Sequence, residues 1–366
     1  METGIIGFPK SGKTTVFNAL TKGKAEIGSY SSGALIPNIG MVKVPDGRLD
    51  ILSGIFKPKK TTHAEIKYVD IALPPKTRPK EEGLDDQIVS YLSNVDSIIH
   101  VVRAFIDDNI PHIEQSIDPV RDIASMEMEL AFSDLALIDK RIERLKTTQK
   151  SSKQSERDAG LKETIILESI KACLEEGTPI REQDLSEETC KIVDNYHFLT
   201  AKPLLVLINI GEEDIPNFSE LEASFHSKYN HPNSEITLLC AKPEMELAQL
   251  DNSDAKEFRL AMGLPESALD PIIQFSYSLL GLISFFTTGS DEVKAWTIRK
   301  NTTAVKAAAK IHTDLAKGFI RAEVISYEAL VECGTMTEAR KHGLIRLEGK
   351  TYVVQDGDCI TILFNI

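Results

Sequence analysis

Short apolar runs separated by polar, glycine-containing segments open the chain. Gly4-Ile5-Ile6-Gly7, Ala64 to Ile71 and Ser97 to Val102 read as strands alternating with loop and helical segments. That alternation predicts a mostly parallel α/β sheet. The pattern stops, then resumes at Pro203-Leu204-Leu205-Val206-Leu207-Ile208 and at Glu235-Ile236-Thr237-Leu238-Leu239. In the gap, from about Asp118 to His197, apolar residues fall at helical spacing: Ile123, Met126, Leu130, Leu137, Ile142 and Leu145, then Leu161, Ile165 and Leu174. The spacing predicts an inserted helical hairpin whose stripes pack against each other. The polar run Thr147 to Gly160 suits its exposed tip. From about Pro271 short strands and turn signals return, and Lys350 to Phe364 reads as two strands around a turn at Gly357. The expected organisation is therefore an α/β domain over 1–117 and 198–270, a helical insertion over 118–197 and a small α+β domain over 278–364.

Composition narrows the class. A chain of 366 residues accommodates more than one domain, and 42% hydrophobic with 27% charged residues is ordinary globular composition. No stretch approaches the ~20 apolar residues that span a bilayer. Because METG leads straight into an apolar strand, a signal peptide is not expected, and a cytoplasmic location is. The five cysteines are scattered, with no CxxC pair, and read as reduced, packed thiols. A net charge of −13 argues against nucleic-acid binding by the surface as a whole. One local exception is the run Lys294, Arg299, Lys300, Lys306, Lys310, Lys317 and Arg321, opposed only by Asp314. It is either a nucleic-acid-facing surface or a solvated helix face around Ala304 to Ala309.

The strongest chemical signal lies at Gly7-Phe8-Pro9-Lys10-Ser11-Gly12-Lys13-Thr14. It fits G-x-x-x-x-G-K-[ST], follows an apolar strand and precedes the helix-like run Thr15 to Leu20. Glycines let the backbone wrap a phosphate with its N–H groups inward, Lys13 neutralises the outer phosphates, and Thr14 supplies a hydroxyl for Mg²⁺. The loop residues Lys10, Ser11, Gly12, Lys13, Thr14 and Thr15 are thus the expected nucleotide contacts. Asp70, ending the run Ala64 to Val69, is the natural carboxylate for the metal, held through water. Asn209-Ile210-Gly211-Glu212 follows a strand where a guanine reader would carry N-K-x-D. Glu212 has one methylene more than that aspartate, so its carboxylate does not fall in the same place, which weakens guanine selectivity.

With these three motifs in order, the chain resembles the YchF / Obg-like ATPase family along nearly its whole length. The likeness is most specific in Leu279 to Thr287, Ala295-Trp296-Thr297-Ile298-Arg299, Ile311-His312-Thr313-Asp314, Lys317 to Val324 and Val354 to Asp358, strings that look like the family's TGS domain. The resemblance implies a P-loop, G-domain-like sheet with an inserted coiled-coil hairpin and a C-terminal, β-grasp-like TGS domain. It implies ATP preferred over GTP, with Asn209 and Glu212 at the family's NxxE positions and Ile210 against the base. It also implies a ribosomal partner, with rRNA contact through the basic stretch, and gives His112 a role in hydrolysis alongside Lys13.

The departures are specific. Where the family's first switch offers a threonine to the metal, the aligned residue is Ala34. Where the second switch reads D-x-A-G, this chain has Asp70-Ile71-Ala72-Leu73, then Pro74 and Pro75. Leucine lacks the freedom of a hinge glycine, and the two prolines stiffen the backbone beyond it. Hydrolysis is expected to suffer more than binding. Three readings are compatible with these residues: a slow ATPase coupled to the ribosome, a nucleotide-binding scaffold that no longer turns over, and a GTP-specific relative.

Overall fold

The computed structural model describes residues 1–23, 25, 37–73, 83–107, 109–110, 116–148, 154–229, 231–264 and 268–365. In chain order the strands are β1 (Glu2–Ile6), β2 (Asn38–Lys43), β3 (Lys60–Thr62), β4 (Glu65–Asp70), β5 (Ser97–Arg103), β6 (Leu204–Asn209), β7 (Ser234–Leu239), β8 (Leu282–Thr287), β9 (Glu292–Arg299), β10 (Phe319–Ser326), β11 (Arg346–Glu348) and β12 (Asp358–Phe364). They form two six-stranded sheets. The chain divides into two compact units, one of Met1–Gly40 with Lys67–Ile272 and one of Met41–Ile66 with Ile273–Ile366.

The first sheet has the order β2-β4-β1-β5-β6-β7. β1 runs parallel to both β4 and β5, β5 is parallel to β6, and β6 to β7. Every residue of β5 and of β6 is buried, as expected of central parallel strands covered on both faces. Ile6, Ile98, Val102, Val206 and Ile208 share a core with Ile88 and Leu92 of the helix Asp86–Asn94 and with Ile123, Met126 and Leu130 of the helix Pro119–Thr148. This order brings the C-terminal ends of β1, β4, β5, β6 and β7 to one edge, where ligands of open α/β sheets bind.

Pro119–Thr148 and Gln154–Glu175 are the two long helices of the insertion. Their seam uses Ile138, Ile142 and Leu145 against Leu167, Ile170 and Leu174. Three positions of the expected stripe are instead exposed: Leu137 at 38%, Leu161 at 50% and Ile165 at 65%. Neighbouring Ile138 and Leu167 take the buried places, because the partner helix selects the face within a broadly apolar arc. Both helices also run into the polar segment expected as a tip, which leaves 149–153 between them, outside the described residues. The buried carboxylate of Asp134 ties the insertion to the lead-in of β6. It accepts from the Leu199 and Thr200 N–H groups at 2.8 Å each and from the Thr200 hydroxyl at 2.7 Å. Burial raises its pKa to about 6 against the pull of those donors.

The second unit is built on the order β11-β10-β12-β8-β9-β3. β10 is antiparallel to β11 and β12, β8 is antiparallel to β9, and β12 meets β8 in parallel. The helix Ala304–Ile311 buries Ala304, Ala307 and Ala308 in a core with Phe285, Val324 and Ile360. Segment 41–66, which the sequence pattern groups with the nucleotide domain, belongs to this unit and supplies β3, parallel to β9. Arg48 anchors it within the unit, pairing with Asp46 and Asp356 at 2.8 Å each. The expected hairpin around Gly357 is not formed: Gly357 does turn, at φ 86, but Val353 makes only an isolated bridge to Thr303, and β12 pairs with β10 instead.

Candidate functional site

β1 ends at Ile6 and the helix Lys13–Thr21 begins seven residues later, so Gly7 to Gly12 is the connecting loop. Gly7 is required by close approach: a Cβ there would lie 2.4 Å from the Val101 carbonyl oxygen and 2.6 Å from Ser11 Oγ. Gly12, at φ 88, is required by conformation, and a Cβ on it would meet Asn209 Nδ2 at 2.3 Å. Lys10 is also left-handed, at φ 69. Left-handed residues alternating along a short loop turn successive N–H groups to one side and make an anion cradle at the helix N-terminus. The Ser11 N–H closes the turn onto the Phe8 carbonyl at 3.1 Å.

Lys13 and Asp70 meet beside this cradle. Lys13 is 7% exposed, and burial pushes its ammonium below the ordinary value while the Asp70 carboxylate works against that shift. Thr14 Oγ1 donates to Asp70 Oδ2 at 3.0 Å, and Asn38 Nδ2 donates to the same oxygen at 3.2 Å. Asp70 Oδ1 is buried with no hydrogen-bond partner, as is Ser11 Oγ. An orphaned carboxylate oxygen next to a threonine hydroxyl is the donor set a hard divalent cation uses, with phosphate oxygens and water completing its shell. Among the described residues no cluster of three or more His, Cys, Asp or Glu could hold a metal by itself. Thr15 lies in the first turn of the helix and is half-buried.

The segment after β6 is held by contacts within the protein. Asn209 is 4% exposed and spends both ends of its amide on the protein: Nδ2 donates to the Ser11 carbonyl at 3.0 Å, and Oδ1 accepts from the Ala241 N–H at 3.1 Å. Its own carbonyl accepts from Ala104 and Phe105. Asn209 is therefore a clamp between the phosphate loop and the segments after β5 and β7. Ile210, expected against the base, is 3% exposed and packed in the sheet core, with its N–H donating to the Leu239 carbonyl at 3.0 Å. Glu212 is half exposed and pairs with Lys242 at 3.3 Å.

Sequence reasoning passed over four participants: Asn38, Ala241, Lys242 and the pair Arg103–Phe105. All but Asn38 lie at or just beyond the end of a parallel strand at the same edge, and that position is the signal that finds them. The Phe105 ring lies against Gly12, and the Arg103 guanidinium stacks on it 4.5 Å from the centroid. His112 and Ala34, with Pro74 and Pro75, lie outside the described residues. Leu73 is described: it is 5% exposed and packed with Ile71, Ile88 and Leu92. In the second unit, Arg299, Lys300, Lys306, Lys310, Lys317 and Arg321 are exposed; Lys317 pairs with Asp314, and Lys294 sits 3.8 Å over the Trp296 ring.

Comparison with known proteins agrees with this architecture. Residues 2–138 match a family model described as a 50S ribosome-binding GTPase, and residues 282–365 match the YchF GTPase C-terminal model, described as a protein of unknown function. The chain is 42% identical to the ribosome-binding ATPase YchF of Bacillus subtilis, with 100% of both chains covered. It is 39% identical to the protein of the same name from Haemophilus influenzae, with 99% of each covered. The solved structure of the Schizosaccharomyces pombe YchF GTPase superposes with a TM-score of 0.86 at 33% identity, covering 99% of this chain and 97% of that one. With a P-loop sheet, a helical insertion and a matching C-terminal region along its full length, the chain belongs to the YchF family.

Proposed function

We propose that this protein is a ribosome-binding, nucleotide-dependent ATPase of slow turnover that works in the cytoplasm. The observation that carries the nucleotide part is the convergence of Lys13, Thr14 and Asp70 beside a loop whose glycines admit no Cβ. In this reading the N–H groups of the loop and Lys13 hold the phosphates, and Thr14 with Asp70 holds Mg²⁺. When bound, the cation draws charge off the outer phosphates and orients them. Lys13 stabilises the charge that builds on the leaving phosphate oxygens, and the burial of its side chain strengthens that interaction. His112 is the residue proposed to orient the attacking water.

The names of its relatives differ over the nucleotide, ATPase in some and GTPase in others. Glu212 supports ATP here. Its side chain is one methylene longer than the aspartate of a guanine reader, so its carboxylate does not fall where the guanine edge would meet it.

Leu73 favours slow turnover, and in the limit a scaffold that binds without hydrolysing. Its side chain is locked in the core at the position where a hinge glycine would swing. The ribosomal part is tested by co-sedimentation with purified ribosomes over a salt series, with and without ATP, using the wild type and the double variant Arg299→Glu, Lys300→Glu. The expected result is nucleotide-dependent pelleting that weakens with salt and in the variant; no pelleting at low salt contradicts it.

A further inference from the structure

We infer that Asn38 is a positioning residue for the metal half of the nucleotide site: its side-chain amide fixes the rotation of the Asp70 carboxylate, and through it the affinity for Mg²⁺. This rests on Thr14 and Asp70 holding the cation, as proposed for the nucleotide site. Asn38 is the first residue of β2 and Asp70 the last of β4, and the two strands are neighbours in the first sheet. The sheet thereby joins side chains 32 positions apart.

The Thr14 hydroxyl at 3.0 Å and the Asn38 amide at 3.2 Å reach the same oxygen of Asp70, Oδ2. The torsion that turns an aspartate carboxylate is intrinsically broad, so its setting comes from contacts of this kind. One donor comes from the helix Lys13–Thr21 and the other from β2, and together they hold the group where either alone would let it swing. The single proton of the Thr14 hydroxyl is spent on Oδ2, which leaves its lone pairs for a cation. Charge accounts for the donor being an amide. Lys13 already sets a positive charge against Asp70. A second ammonium in place of Asn38 would repel the cation that Asp70 attracts, whereas a neutral N–H orients the carboxylate and leaves its charge intact. Outer partners of this kind typically account for about 10–100-fold in metal affinity. Asn38 is itself exposed, so its replacement leaves the packed core untouched.

The test uses the full-length protein and the fluorescent analogue mant-ATP, titrated in EDTA and then with increasing Mg²⁺ at fixed nucleotide. Asn38→Ala and Asn38→Leu remove the donor, and Ile39→Ala changes an exposed neighbour on the same strand. Both Asn38 variants should bind mant-ATP in EDTA within about twofold of wild type, while the Mg²⁺ concentration at half-saturation rises about tenfold or more. Ile39→Ala should match wild type in both titrations. In an Asp70→Asn background Asn38→Ala should add no further change, since both act on one carboxylate. The inference alone is overturned if Asp70→Asn abolishes the Mg²⁺ dependence of the wild type and Asn38→Ala keeps the wild-type half-saturation. It is equally overturned if Asn38→Ala weakens binding in EDTA as much as it raises the half-saturation, or if Ile39→Ala raises the half-saturation as much. A wild type whose binding is indifferent to Mg²⁺ overturns the inference together with the reading of Thr14 and Asp70.

Discussion

Asn209 Nδ2 donates to the carbonyl of Ser11 at 3.0 Å, across 198 positions of sequence. Its Oδ1 meanwhile holds the Ala241 N–H. The end of β6 is therefore tied directly to the phosphate loop. Asn209→Ala leaves a buried carbonyl and a buried N–H unpaired, each worth about 1–3 kcal/mol. The expected outcome is a drop in ATP affinity of at least about tenfold in a folded protein, with GTP affinity falling by the same factor, measured by titration with a fluorescent nucleotide. A loss confined to one base would return Asn209 to base recognition.

Leu73 sets the second expectation. Leu73→Gly removes a side chain packed among Ile71, Ile88 and Leu92 and should lower stability by about 2–5 kcal/mol, the cost of truncating a buried leucine. The same change restores backbone freedom after Asp70, so the single-turnover rate of ATP cleavage should rise while ATP affinity changes little. A rate equal to wild type would show that this position does not limit turnover.

His100 makes a pH prediction. It lies fully buried in β5, with neither ring nitrogen hydrogen-bonded and its ring edge-on to Phe8, and burial lowers its pKa to about 3. The unfolded chain binds that proton near pH 6.5, so the neutral ring contributes stability that is present above pH 6.5 and lost as pH falls towards 3. Asp134 acts in the opposite sense. With its pKa raised to about 6, it binds its proton in the folded state first, so its contribution is lost as pH rises from about 4 to 6. The His100 effect is therefore read as a difference: between pH 7 and pH 5, wild type should lose about 2 kcal/mol relative to His100→Leu in denaturant unfolding. A constant difference across that range would contradict it.

The parts of this molecule legible in the sequence are those encoded locally. The phosphate loop is written in contiguous residues whose conformations and charges make the site, and β6 announces itself as an apolar run from Leu204 to Ile208 because both its faces are covered. What depends on distant partners was not legible. Nothing near Asn209 reveals that it serves Ser11, and nothing near Asp134 reveals that it holds Leu199 and Thr200. In the hairpin seam Ile142, Leu145 and Leu174 stand as periodicity places them, but Ile138 replaces Leu137, since periodicity gives an arc and the facing helix chooses within it. The short β3 carries no apolar signal because its threonine hydroxyls are spent on polar partners, Thr62 donating to Glu292 of β9 at 2.6 Å and Thr61 sharing a 2.9 Å hydrogen bond with Ser53.

The most direct test is a paired measurement on one preparation: equilibrium titration with ATP and with GTP, with and without Mg²⁺, then single-turnover cleavage of the bound triphosphate. The account predicts ATP bound more tightly than GTP, binding lost in Lys13→Ala, Mg²⁺ dependence lost in Asp70→Asn, and slow but measurable cleavage to ADP and phosphate. Tighter binding of GTP, or ATP binding indifferent to Lys13, would contradict it.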